Sequence, residues 1–312
     1  MKFSELSRIF LCLAFVSCAR DFDYKTARSE GYVEVDRGQI YYQVFGKGDP
    51  IIVVHGGPGL DQTYLQPQLL DLAKNHQLIF YDQRGSGKSL KTEINSETIN
   101  IKQFAQDLES VRKSLGLNKV ALIGHSWGGT LSMQYATMYP EHISSLILVS
   151  SLPADYKGQK AFSDEFVART KPIHNDIKAL SVYEEFEKLN ADQISTLYRK
   201  LFYVYFFEPS MESELTLNFD VLSARSGFKV SQEMKKTSIF QSKFNLFPEL
   251  RKLHIPTFII HGKKDIIPYW TAEEIHKTIP RSYLLGIEEC DHFPYVEKPK
   301  EFFGAMEDFL NK

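Results

Sequence analysis

Short runs of β-branched and aromatic residues recur along the chain, each followed by a polar or glycine-rich stretch. Residues 32–35 and 40–45 flank Asp36-Arg37-Gly38, and the pair reads as a hairpin. Residues 51–54 (Ile-Ile-Val-Val) and 78–81 (Leu-Ile-Phe-Tyr) are unbroken apolar runs, the pattern of strands buried on both faces. Runs at 120–123, at 146–149, at 257–260 behind Pro256 and at 283–285 repeat it. Between them the period changes. Ile101, Phe104, Leu108, Val111 and Leu115 are spaced by threes and fours, which predicts an amphipathic helix over 99–115 ended by Gly116. Helix-like runs also cover 130–139 and 301–310. Strands separated by helices predict an α/β fold: a mostly parallel, eight-stranded sheet with helices on both faces.

The alternation fails between residues 152 and 250. This stretch of 99 residues holds 16 Phe or Tyr, 13 basic and 14 acidic residues, and no clear strand series. It is too long for a structureless loop in a compact domain. The pattern predicts a helical cap inserted into the α/β core, which then divides into 31–151 and 251–312. The aromatic run 202–207 either packs cap on core or walls a pocket.

The first residues differ from the rest. Lys2 and Arg8 precede an apolar run at 9–16, followed by Ser17-Cys18. The run is too short to span a bilayer but fits an export signal. A small residue directly before cysteine resembles the lipobox of bacterial lipoproteins, with Phe15 a departure where that pattern prefers Leu. The resemblance implies a signal at 1–17, lipidation of Cys18, a tether over 18–30 and a lipid-anchored, exported protein. A plain export signal and an amphipathic N-terminal helix are the alternatives. Lys+Arg is 37 and Asp+Glu is 39, a net charge of −2 that gives no electrostatic case for nucleic acid. Three cysteines exclude a disulfide framework and a four-cysteine zinc site. No metal or cofactor is implied, and the oligomeric state is left open.

The chemistry lies at strand ends. Gly124-His125-Ser126-Trp127-Gly128-Gly129 follows a predicted strand and precedes a helix. In that context small residues at 124 and 128 permit a sharp turn that holds the Ser126 hydroxyl above the sheet. A hydroxyl nucleophile needs a base, and the base needs an orienting acid. In such a fold both follow the serine, with the acid first. Asp265 and His292 fit, each in a loop after a strand. Asp291 is the poorer acid, since adjacent side chains diverge. His55-Gly56-Gly57-Pro58-Gly59 follows another strand, and the N–H groups of Gly57 and Trp127 are the expected oxyanion donors. His261 reads as a packed strand-end residue, His125 as a brace for the turn, and Asp82 and Arg84 as a pair holding their loop.

These motifs resemble the α/β-hydrolase superfamily and, within it, the proline iminopeptidase group of serine peptidases. The resemblance rests on His55-Gly-Gly-Pro-Gly59, Asp82-Gln-Arg-Gly-Ser-Gly-Lys-Ser89, Gly124-His-Ser-Trp-Gly-Gly129, Gly262-x-x-Asp265, and His292 followed by Glu297-x-Pro299. It covers the chain from about residue 31 onward except the cap. It implies removal of an N-terminal residue, often proline, from short peptides, with cap glutamates holding the free amine. Glu208 is the candidate for that role. A carboxylesterase or lactonase using the same triad is the alternative, and a lipid-anchored binding protein on an inactive scaffold a third reading. A cap carboxylate placed to meet an amine separates the first two.

Overall fold

The computed structural model describes residues 23–311 other than 218, 238 and 240. The expected signal at 1–17 and Cys18 lie outside the described residues. Eight strands form one sheet: β1 (Ser29–Val35), β2 (Gly38–Gly46), β3 (Pro50–Val54), β4 (Gln77–Tyr81), β5 (Val120–His125), β6 (Ile143–Val149), β7 (Thr257–Gly262) and β8 (Ser282–Ile287), in the order β1-β2-β4-β3-β5-β6-β7-β8. The β1–β2 and β2–β4 pairs are antiparallel and the rest parallel.

The unbroken apolar runs are explained by their surroundings. Every residue of β5 and β7 is buried. Alternate residues of β3 feed opposite cores, Ile52 and Val54 one, Ile51 and Val53 the other. The first core is closed by α1 (Ile101–Ser114) and α2 (Trp127–Met138). Asn100 starts α1 by accepting from Gln103 N–H, and Gly116 beyond its end takes a positive φ of 67°. The second core is closed by the 65–73 segment and the C-terminal helix Pro299–Leu310. Each Val, Ile or Leu so buried contributes about 1.5–3 kcal/mol relative to exposure.

The described residues between β6 and β7 hold no strand. They hold α3 (Tyr156–Thr170), α4 (Ala191–Phe202), α5 (Val221–Lys235) and short helical turns. Phe202, Phe206, Leu215 and Leu217 pack into the second core, and Val230 and Met234 into the first. Only a small cluster around Phe186, Ile194, Leu197 and Phe228 belongs to this segment alone. The chain leaves β3 toward β4 on one side and takes up β5 on the other, so a crevice opens at the carboxyl ends of β3 and β5. Ligands gather at such a switch point.

Candidate active site

Ser126 directly follows β5 and is the residue before α2. Its φ of 57° with ψ of −122° is a conformation that non-glycine residues adopt at a cost of order 1–3 kcal/mol. Neighbours hold it there. Ser126 N–H donates to Val149 O at 3.0 Å, and its carbonyl accepts from Leu152 N–H at 3.0 Å and Gly129 N–H at 2.9 Å. The flanking glycines leave no alternative. A Cβ at 124 would meet Gly128 O at 2.5 Å, and one at 128 would meet Val54 O at 2.0 Å. Trp127 is the first residue of α2, so no carbonyl of the helix meets its N–H.

Asp265 and His292 come from the loops after β7 and β8 and meet. His292 Nδ1 lies 3.0 Å from Asp265 Oδ1 and 3.3 Å from Oδ2. A carboxylate accepts, so Nδ1 carries the proton and Nε2 is left as the basic nitrogen. Burial alone would raise the Asp265 pKa. The imidazoles of His292 and His261 and the Ile267 N–H outweigh it and hold the carboxyl below its ordinary range. His261 Nε2 lies 2.9 Å from Ile267 O and 3.4 Å from Asp265 Oδ2, a packed residue behind the acid. The backbone on either side of His292 is fixed by Glu297, which accepts from Asp291 N–H and Phe293 N–H, both at 3.1 Å.

The glycine loop, the turn and the His292 loop are tied together by His125. Its Nε2 lies 3.1 Å from His292 O and must donate, so Nδ1 accepts from Tyr64 Oη at 2.7 Å. Tyr64 Oη in turn accepts from Gly56 N–H at 2.7 Å. Burial, with His292 close by, lowers the His125 pKa to about 3. Gln83 makes a second tie, donating to His55 O at 2.6 Å and accepting from Trp127 Nε1 at 2.7 Å.

Asp82 and Arg84 do not pair. Arg84 reaches Asp107 on α1 through two bonds of 2.6 Å, both side chains fully buried. Asp82 accepts from Gln62 N–H at 3.1 Å and Lys88 N–H at 2.8 Å. Burial and nearby Asp61 push its pKa up to about 7. The local motif gave no hint of Asp107, which is 23 residues away.

A cavity of about 750 Å³ opens between the strand ends and the cap, and Gly57, Ser126 and His292 all line it. Most of its wall is apolar, with Phe162, Phe166, Tyr198, Phe202 and Tyr205 prominent. Lys171, Lys178 and Lys235 also line it, and among the described residues no carboxylate does. Glu208 is not brought to the site. It is exposed, at the start of the helical turn Pro209–Glu214. The aromatic run is divided: Phe202 and Tyr205 face the cavity, Phe206 packs into the core and Phe207 is exposed. The cap is fastened beside the catalytic loops by Arg169 of α3. It pairs with buried Asp291 and donates to Lys264 O at 2.7 Å and Val204 O at 3.2 Å. At a second point cap and loop touch backbone to backbone. A Cβ at Gly59 would meet Gly227 O at 2.1 Å, and one at Gly227 would meet Gly59 O at 2.0 Å.

A seryl hydroxyl on a strained turn, an imidazole with one nitrogen fixed by a carboxylate, and backbone N–H groups at a helix start are the parts needed for acyl transfer. A family model described as the alpha/beta hydrolase fold matches residues 49–299. The chain belongs to the α/β-hydrolase family. This α/β hydrolase is similar to a proline iminopeptidase of Heyndrickxia coagulans, 28% identical over 302 residues, covering 91% of this chain and 99% of the relative. A proline iminopeptidase of Saccharolobus solfataricus is 27% identical, covering 93% and 94%. A solved alpha/beta fold family hydrolase from Bacillus anthracis str. Sterne superposes with a TM-score of 0.70 at 23% identity, covering 90% of this chain and 99% of that one.

Proposed function

We propose that the protein is a serine hydrolase acting as an aminopeptidase of proline iminopeptidase type, releasing an N-terminal residue from short peptides. The observation that carries this reading is the similarity to proline iminopeptidases over nearly the whole of both chains. In the proposed reaction Ser126 Oγ attacks the first peptide carbonyl while His292 Nε2 takes its proton. Asp265 stabilises the imidazolium so formed. The N–H groups of Gly57 and Trp127 meet the negative charge on the carbonyl oxygen. His292 then protonates the leaving amine, and water resolves the acyl-enzyme by the same route.

A second reading, a carboxylesterase or lactonase with the same triad, is favoured by the lack of a carboxylate among the described cavity-lining residues. A protonated substrate amine would find no opposite charge there. Purified protein tested on aminoacyl-naphthylamides and p-nitrophenyl esters separates the two. Cleavage of unblocked aminoacyl amides supports the peptidase, whereas esters alone would sink it. Labelling by a fluorophosphonate should disappear in Ser126→Ala, and labelling that persists would place the nucleophile elsewhere. The reading extends to export with lipidation at Cys18, supported by the order basic, apolar, Ser17-Cys18 in the sequence. Cells exporting lipoproteins should incorporate labelled palmitate into the protein, and Cys18→Ala should abolish it.

A further inference from the structure

The cavity has unlike ends. Gln159 lines the cavity, and its Nε2 donates to Pro153 O at 2.9 Å, one residue beyond the Leu152 whose N–H holds the Ser126 carbonyl. Its Oε1 is buried without a hydrogen-bond partner among the described residues. Such an acceptor is costly to leave unmet and suits an N–H or O–H of a ligand. The outer wall carries ammonium groups instead. Lys178 is paired with Glu185 at 3.4 Å, while Lys171 and Lys235 have no ion-pair partner among the described residues. Lys171 and Lys235 are both exposed to solvent where they line the cavity, and partial desolvation lowers the Lys235 pKa.

The α5 helix sets the spacing. Gly227 touches Gly59 beside the oxyanion loop, Phe228 and Ser231 line the cavity, and Lys235 ends the helix. Eight residues at a rise of 1.5 Å put Lys235 about 12 Å along the axis from that contact. An extended chain covers this distance in about three or four residues.

We propose that the site takes a short, extended substrate whose reacting end offers a hydrogen-bond donor to Gln159 Oε1 and whose far end is a free carboxylate held by Lys171 and Lys235. This deepens the proposed hydrolase reading and rests on it. In a peptide or an ester alike the carboxylate ends the leaving fragment.

The test pairs substrates that differ only at the far end. Prolyl tripeptides and tetrapeptides are compared as free acids and C-terminal amides. Prolyl esters of hydroxy acids are compared in the same way, as free acids and as amides. The free acid should be preferred by about tenfold in kcat/KM at low salt, mainly through KM, as one charge-assisted contact is worth. The acid-to-amide ratio should fall toward one in Lys171→Gln/Lys235→Gln and below one in the double Glu variant. Because the ratio is internal to each preparation, partial unfolding of a variant cancels. A wild-type ratio near one in both series, or a ratio unmoved by the variants, overturns the proposal. Carboxylate-ended esters preferred while all peptides stay intact would remove the peptidase reading and leave this one standing. Peptides cut equally as acids and amides would do the reverse.

Discussion

His125 is buried with both ring nitrogens committed, one to Tyr64 and one to the His292 carbonyl. Its pKa of about 3 against an ordinary 6.5 has a consequence for stability. Between these values the unfolded chain binds a proton that the folded chain refuses. Stability from the neutral ring is therefore complete above pH 6.5 and drains as pH falls toward 3. His125→Gln keeps the capacity for hydrogen bonding but not the titration. The gap in urea-unfolding free energy between wild type and His125→Gln should narrow by about 2 kcal/mol from pH 7.5 to pH 5, at about 1.4 kcal/mol per pH unit below 6.5. A gap that stays constant would show that His125 does not titrate in this way. At this scale the sequence was informative where chemistry and chain order coincide. Ser126, Asp265 and His292 are legible from the glycine-flanked serine between strand and helix and from the order of the loops that follow, and the structure brings Asp265 and His292 into contact. The bracing roles of Tyr64, Gln83 and Glu297 are not legible in the same way. Each acts through one bond to a distant backbone or ring, and nothing local marks such a bond.

Elements are joined here by a few buried polar contacts rather than by area alone. Arg169, near the end of α3, binds both the Asp265 loop, through Lys264 O, and the residue before His292. Burial and the Asp265 carboxylate push the Asp291 pKa up to about 7 even with the guanidinium present. Arg169→Met leaves that carboxyl buried without its cation and should cost about 3 kcal/mol, read as a lowered thermal midpoint. Asp291→Asn in the same background should recover part of the loss; no recovery would mean that Arg169 acts mainly by packing. Strands were legible because burial on both faces demands unbroken apolar runs, which few other elements show. Cap helices were harder. Asn190 and Gln193 form a reciprocal cap at the start of α4, and Ile194 and Leu197 follow on its buried face, so this one cap helix does carry a local start signal. The Arg84–Asp107 and Arg169–Asp291 pairs had no comparable signal, because each partner belongs to a different element.

Across the whole molecule, stability should be uneven. The sheet is enclosed by two large apolar cores, whereas residues 174–201 rest mainly on the small cluster around Phe186 and Leu197. Native-state hydrogen exchange should therefore find the amides of 194–201 opening at lower free energy than those of 120–123. Equal protection would mean that cap and sheet open as one unit. The division into core and insertion could be seen in the sequence because its strand rhythm stops at 152 and resumes near 257. How the two parts meet could not be, since the meeting points lie far apart along the chain. One of them limits what can be rebuilt. Gly59 and Gly227 touch with no room for a side chain on either. A chimera carrying another hydrolase's cap would inherit working specificity only if it restored two bare backbones at this point. A methyl group on either would wedge the graft outward and carry its substrate-facing wall away from Ser126.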